Sequence, residues 1–319
     1  MSKSPYASIC ALVGVVLLSA CGGGGNGAST NTTLVERGAP GVVVDDKLAE
    51  SKELVFGTLL HNGASAVRTA RQNVVRDEAA WRQLWQEVHA DNPQPPPLPQ
   101  IDFGRKMVIA LFRGAQGDGC ADIRIERTSL RQGKLLVEYS WRNAQADAVC
   151  PAYLPQPQHL AVVDRIEGMP EFRRIEAQSL PFSRMQIALS AYFFGKDGRL
   201  VSAPHLPFNK VIKDAASWQA IWSEVSEQPL PEIDFAKEMV IFAYGGVHSV
   251  GGCYASRVRE VFRSGSQLYV ARIDSGPQAD SACLASFTAV GEMVKVARSE
   301  DAVLFGQQIA EPGYFYGEK

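Results

Sequence analysis

The chain has 319 residues, of which 46% are hydrophobic and 21% charged, and its formal net charge is −2. That length suits two domains of ordinary size, and that composition suits a globular protein. The near-neutral charge implies neither a basic nucleic-acid face nor a strongly acidic tail, so no nucleic-acid partner is expected.

The first twenty residues carry a single charge, Lys3, so the remainder of the chain carries −3. An apolar run from Ile9 to Leu18 follows, which is the layout of a secretory signal. It is shorter than the roughly 20 apolar residues a spanning helix needs. The run ends Leu18-Ser19-Ala20-Cys21. This resembles the lipobox of bacterial lipoproteins, and the resemblance implies cleavage before Cys21 and lipidation of Cys21. An ordinary secretory signal that ends near a cysteine is the other reading. Gly22 stands where such proteins carry the Asp that retains them in the inner membrane. The resemblance therefore implies the outer membrane, facing the periplasm, with the membrane engaged through the N-terminal lipid. Gly22 to Gly27 suits a flexible tether, and residues 21–50 read as a polar linker.

From residue 51 the chain reads as two copies of one unit, over 51–178 and 184–311. Asp77-Glu78-Ala79-Ala80-Trp81 … Trp85 matches Asp214-Ala215-Ala216-Ser217-Trp218 … Trp222 at an offset of 137. In each, an Asp at the cap position precedes apolar residues at spacing 0, 3, 4, 7, which predicts an amphipathic helix. Ile101-Asp102-Phe103 … Met107-Val108-Ile109 matches Ile233-Asp234-Phe235 … Met239-Val240-Ile241 at 132. The first copy has the longer intervening loop, with Pro95-Pro96-Pro97.

Apolar segments before each helix, Leu54–Leu60 and Met185–Phe194, predict strands. The continuous runs Met107–Phe112 and Met239–Tyr244 predict central strands covered on both faces. Glycine-rich turns over Gly114–Gly119 and Gly245–Gly252 come next. Ile123–Glu126 with Lys134–Tyr139, and Val258–Val261 with Gln267–Ile273, predict antiparallel hairpins. His159–Val163 and Met293–Val296 predict a last strand. The expected class is α+β: two tandem domains, each a mostly antiparallel sheet of five or six strands with one main helix.

Cys120 and Cys150 are 30 residues apart, as are Cys253 and Cys283. In an oxidising compartment this predicts one disulfide per copy, with free buried cysteines as the alternative. No CxxC occurs and no His stands at ligand spacing, so no metal and no cofactor are expected.

The paired Trp helix, the Ile-Asp-Phe, the Lys or Arg, the Met-Val-Ile and the glycine-rich turn together resemble the PrcB C-terminal-like domain. That family is named for a subunit of a secreted protease complex. The resemblance is best over Trp81–Ile125 and Trp218–Val261. It implies a non-enzymatic module that stabilises a protease or envelope complex, and it supplies no catalytic residues. Gly119-Cys120-Ala121 and Gly252-Cys253-Tyr254 depart from the family's Gly-Gly-Tyr-like turn.

A nucleophilic hydrolase needs a Ser or Cys with His and a carboxylate. Of His61, His89, His159, His205 and His248, none has a matched His in the other copy. His248, in the second glycine-rich segment, is the most site-like. The candidate binding turns are therefore Gly114 and Gly119, and Gly245, His248 and Gly252. Asp102 and Asp234 are expected to cap turns. The expected function is binding of a protein or peptide in the envelope. The alternatives are a hydrolase or small-ligand site between the domains, and a purely structural envelope protein.

Overall fold

The computed structural model describes residues 51–143, 149–194, 198–249, 252–277 and 282–310. The expected signal and linker, with Cys10 and Cys21, lie outside the described residues. The first copy runs β1 (Lys52–Asn62), β2 (Arg71–Val75), α1 (Glu78–Val88), β3 (Lys106–Phe112), β4 (Asp122–Arg131), β5 (Lys134–Arg142), β6 (Gln158–Asp164) and β7 (Glu171–Ile175). The second runs β8 (Gln178–Leu180), β9 (Phe182–Arg184), β10 (Tyr192–Phe194), β11 (Leu200–Ser202) and β12 (Phe208–Ile212). It continues through α2 (Ala215–Val225), β13 (Glu238–His248), β14 (Ala255–Ser264), β15 (Gln267–Ser275), β16 (Thr288–Ala297) and β17 (Ala302–Ala310).

The two helices form as their sequence dictates. Asp77 accepts from the Ala80 N–H at 2.8 Å, and Asp214 from the Ser217 N–H at 2.7 Å, so each carboxylate satisfies an orphan donor of the first turn. Trp81, Leu84, Trp85 and Val88 are buried, as are Trp218, Ile221, Trp222 and Val225. All four indole N–H groups donate to carbonyls of the following loop. Trp81 reaches Pro99 at 2.9 Å and Trp85 reaches Pro96 at 3.1 Å; Trp218 reaches Pro231 at 2.9 Å and Trp222 reaches Gln228 at 2.8 Å. The proline run of the first copy is thus fastened to the tryptophans. Asp102 and Asp234 accept from the N–H two residues on, Gly104 at 3.0 Å and Ala236 at 3.1 Å, closing the turn into β3 and β13.

β3 and β13 are buried on both faces. Val108, Ala110 and Phe112 face α1, while Met107, Ile109 and Leu111 face the β4–β5 hairpin through Ile123, Ile125, Leu135 and Val137. Val240, Phe242 and Tyr244 face α2, and Met239, Ile241 and Ala243 face Val258, Val261, Leu268 and Val270 of the second hairpin. Alternation along a strand sends successive side chains to opposite layers, so an unbroken apolar run is what two covers demand.

The expected α+β class is overturned: the fold is mostly β. Strands make up 50% and helices 9%, with two helices among the described residues. The reason lies in the layers. One face of each central sheet is covered by an 11-residue helix, and the other is covered by strands. The second copy keeps its central strands as a separate four-stranded sheet, in the order β12-β13-β16-β9, but its other long strands join the first copy. An 11-stranded sheet takes strands from both, in the order β2-β3-β6-β1-β17-β15-β14-β8, with β4, β5 and β7 branching from β1. The join is β17 of the second copy, which pairs in parallel with β15 on one side and with Val55–Thr58 of β1 on the other. The strand expected over Met185–Phe194 is also corrected, since only Tyr192–Phe194 of it is strand. Register shows that the true counterpart of β1 lies earlier. Leu54 pairs with Thr128 as Leu180 pairs with Val261, so β8 and β9 together replace β1.

Candidate functional site

The disulfides are formed as the spacing predicts, Cys120 to Cys150 and Cys253 to Cys283. Asp118 lies with Cys120 and Cys150 within 4.8 Å, the one cluster of metal-ligand type among the described residues. Its sulfurs share a disulfide, leaving one carboxylate and no thiolate to hold an ion.

The glycine-rich segments take different forms in the two copies. Gly114 turns the chain after β3 at φ +76, and a Cβ there would lie 2.8 Å from the Arg68 carbonyl oxygen. Gly119 lies against the Pro151 carbonyl beside the first disulfide. In the second copy the expected turn over Gly245–Gly252 is corrected. β13 runs on through Gly245 and Gly246 to His248, and the ladder to β16 is bulged between Tyr244 and Gly246. Gly252 precedes Cys253 at φ +81. The His248 ring stacks on Tyr254 at 3.8 Å, and its Nε2 lies 3.0 Å from the Gly245 carbonyl.

The junction between the copies, the place the sequence offers for a hydrolytic site, is filled by ion pairs and imidazoles. His159 is fully buried and its Nδ1 accepts from the Ile125 N–H at 2.8 Å. The ring proton therefore sits on Nε2, which faces Thr58 Oγ1 at 2.9 Å and donates to it. A donor cannot take the hydroxyl proton, so Thr58 is not activated. Burial above all, and the nearby His61, hold His159 well below the usual imidazole range. His61 bonds Asp122 at 2.8 Å. Burial alone would raise the Asp122 carboxyl, but His61 and Arg124 outweigh it and hold it below the usual carboxylate range.

An open cleft lies elsewhere among the described residues, at the start of the second copy. In the first copy β1 continues along β6 until Asn62, pairing Leu60, His61 and Asn62 with Leu160, His159 and Gln158. In the second, β9 pairs with β16 only from Phe182 to Arg184. The Met185 N–H then bonds the Met293 carbonyl at 2.9 Å, and the chain leaves β16 for the end of α2. The cause is chain length. Thr58 and Arg184 hold matched places on β6 and β16. Ala66 and Ser190 both bond the last residue of the helix, at the Val88 and Val225 carbonyls. Eight residues take the first copy from Thr58 to Ala66, but six take the second from Arg184 to Ser190. The shorter segment cannot follow the strand to its end.

What remains is a cleft of about 330 Å³ between Arg184–Leu189, the Tyr254–Arg257 start of β14, and Ala289–Glu292 of β16. Its floor is a strand edge. Met293 turns its carbonyl to β9, and peptide groups alternate sides along a strand, so Gly291 and Ala289 present N–H and C=O to the cleft. The walls are fixed by charge. Glu292 pairs with Arg184 at 2.9 Å and accepts from the Val258 N–H at 2.7 Å, the place that His159 fills against Ile125 in the first copy. Tyr254, on the rim, carries His248 stacked behind it. None of the other lining residues stands out by type. The signal that marks them is the two-residue difference between copies, readable only once Leu54 is aligned with Leu180. No helix among the described residues is long and apolar enough to cross a membrane. Comparison with family models, with characterised proteins and with solved structures gives no match to this chain.

Proposed function

We propose that the protein is a lipid-anchored envelope component that binds an extended segment of another protein, without catalysis, by adding it as a strand to the open edge of β16. The observation that carries this reading is the edge Thr288–Glu292, which has no strand on its outer side among the described residues; in the first copy β1 covers Gln158 and His159, the counterparts of Gly291 and Glu292, and Gly63 and Ser65 bond Gln156, the counterpart of Ala289. Strand addition takes its affinity from backbone hydrogen bonds and its selectivity from the flanking side chains. The Leu18-Ser19-Ala20-Cys21 sequence supports attachment through Cys21, and the PrcB C-terminal-like motif supports a protein partner, for which a secreted protease or envelope complex is the leading candidate.

The test uses the longer segment that nature placed in the first copy. Replacing Met185–Leu189 with the sequence of Leu59–Ser65 lets the second copy run along β16 and fill its own cleft. Tagged wild-type and filled-cleft proteins are purified from detergent-solubilised envelopes. The expected result is a stoichiometric partner on the wild type that is absent from the variant. The same proteins retained on both, or none on either, rules the reading out. Lipid attachment is checked separately by incorporation of labelled fatty acid, which Cys21→Ala abolishes.

A further inference from the structure

The cleft has a directional flank. Beyond Thr288, β16 is preceded by Phe287, which is 60% exposed and meets Tyr192 edge to face at 5.7 Å. Tyr192 opens the β10–β11 hairpin, where Phe194 is the cross-strand partner of Leu200. Tyr192 and Phe194 are two apart and so share a face of the hairpin, while Phe193 between them is buried. Tyr192, Phe194 and Leu200 are all exposed. The result is an apolar strip that begins at the end of the open edge and runs along the hairpin.

The hairpin belongs to the second copy alone. Four residues separate Ala66 from Arg71, the start of β2, whereas seventeen separate Ser190 from Phe208, the start of β12. Both pairs hold matched places. Ala66 and Ser190 bond the helix ends, while Arg71 and Phe208 pair with Phe112 and Tyr244. The copy that lost the covering strand is thus the copy that gained an exposed aromatic strip at the end of the vacated edge.

Resting on the strand-addition reading above, we infer that the site selects extended segments with aromatic or large apolar residues on the C-terminal side of the paired stretch. Direction comes from the first copy, where β1 runs antiparallel to β6. A segment in the same sense enters beside Met293 and leaves past Thr288. Five residues, opposite Thr288–Glu292, span about 17 Å at about 3.3 Å each. The residues that follow lie on Phe287 and Tyr192. The N-terminal side of the segment meets Arg184 and Gln186, with Met185 and Ile187 turned partly into the core, and has no exposed aromatic strip among the described residues. Alternate side chains of the paired stretch face Val290 and Ala289, which leaves room for small or β-branched residues there.

The experiment is selection from a display library of random nine-residue peptides on the purified protein, followed by hydrogen exchange on the bound pool. The expected result is protection of the Ala289 and Gly291 amides, with Phe, Tyr, Trp and Leu enriched toward the C-terminal end of the selected peptides. Moving the aromatic pair of a selected peptide to its N-terminal end should weaken binding about threefold to tenfold, the worth of one or two aromatic contacts. The double variant Phe287→Ser, Tyr192→Ser should erase that difference while leaving the amide protection. Protection of β16 without any positional enrichment, or an end preference that survives the double variant, overturns the inference and leaves strand addition standing. Selected peptides that do not protect Ala289 and Gly291 overturn both.

Discussion

Glu126 and Arg259 occupy the same place in the two copies, 133 residues apart, and they bind each other across the junction at 3.1 Å. Each is the residue skipped in its hairpin ladder. The register of β4 on β5 shifts between Ile125 and Arg127, and that of β14 on β15 shifts between Val258 and Glu260. A bulge re-aims the extra side chain. Here it turns one acid and one base out of equivalent strands toward a common centre. Arg142 holds the other Glu126 oxygen at 2.6 Å and reaches Glu260 at 2.9 Å, and Ser140 donates to Glu126 at 2.6 Å. Burial would raise the Glu126 carboxyl, but Arg259 and Arg142 outweigh it and keep the group ionised.

Removing one member of such a pair leaves the other charge buried without its partner, at a cost of about 3–5 kcal/mol, while replacing both with apolar residues costs far less. Arg259→Met alone should therefore lower stability by that order, and Glu126→Leu with Arg259→Met should recover most of it. Chemical denaturation of the two singles and the double checks this. A double whose loss equals the sum of the singles means that the residues are uncoupled. Because β17 joins strands of both copies in one sheet, calorimetry of the wild type should show a single transition, and two separable peaks contradict that.

Gly306 marks where β17 crosses β4. A Cβ there would lie 1.8 Å from the Glu126 carbonyl oxygen, so the strands must part to admit it. Gly306→Ala should destabilise by about 1–3 kcal/mol or more, the range for overpacking a closed site. Gly117→Ala meets nothing within 4 Å and serves as the control. Equal melting temperatures for the two variants would show that the crossing is slack.

Glu53, in β1, carries a carboxyl pushed up to about 7, chiefly by burial and against the pull of Arg127 and Arg272. Its folded value stands above the ordinary 4.5, so the folded state holds more protons between those values. Stability from this group is full below about 4.5 and declines as pH rises toward 7, by up to about 3 kcal/mol. Glu53→Gln removes the titration, so the variant should match the wild type near pH 5 and exceed it near pH 8. Stability curves that stay parallel between those pH values refute the assignment.

Each disulfide closes a 30-residue span. In the chain-entropy account, Cys120→Ser with Cys150→Ser should cost about 3–4 kcal/mol, and the second pair about the same. Loss of the second bridge should also loosen Tyr254, next to Cys253, on the cleft rim. Denaturant midpoints of the two double variants, with and without reductant, check the magnitude. A midpoint unmoved by either replacement removes the bridges from the account of stability.

Some residues announce their places because one local rule decides them. Asp77 and Asp214 cap helices through their own side chains, and Trp81 and Trp218 sit at helical spacing. Met107–Phe112 and Met239–Tyr244 read as doubly covered strands because both layers ask for apolar residues. The candidate site was not legible in the same way. Met185–Phe194 is apolar enough to pass for the counterpart of Leu54–Leu60, yet Met185, Ile187 and Leu189 pack as coil beside α2 and only Tyr192–Phe194 is strand. The real counterpart, Gln178–Arg184, is short and half polar, and only its pairing with β14 and β16 reveals it. His248 drew notice through its glycines but lies behind Tyr254 rather than in the cleft.

By itself the sequence determined the repeat, the helices with their caps, the doubly covered strands, the hairpins and the cysteine pairing. Each follows from residues near one another in the chain or from the match between copies. Only the tertiary structure decided that the fold is mostly β, that β17 pairs with β1 to merge the copies, and that Glu126 meets Arg259. It also decided that a two-residue shortfall before α2 leaves the β16 edge open. Parallel pairing of β1 with β17 joins residues some 250 positions apart, and backbone hydrogen bonds of that kind leave no pattern in either strand's side chains.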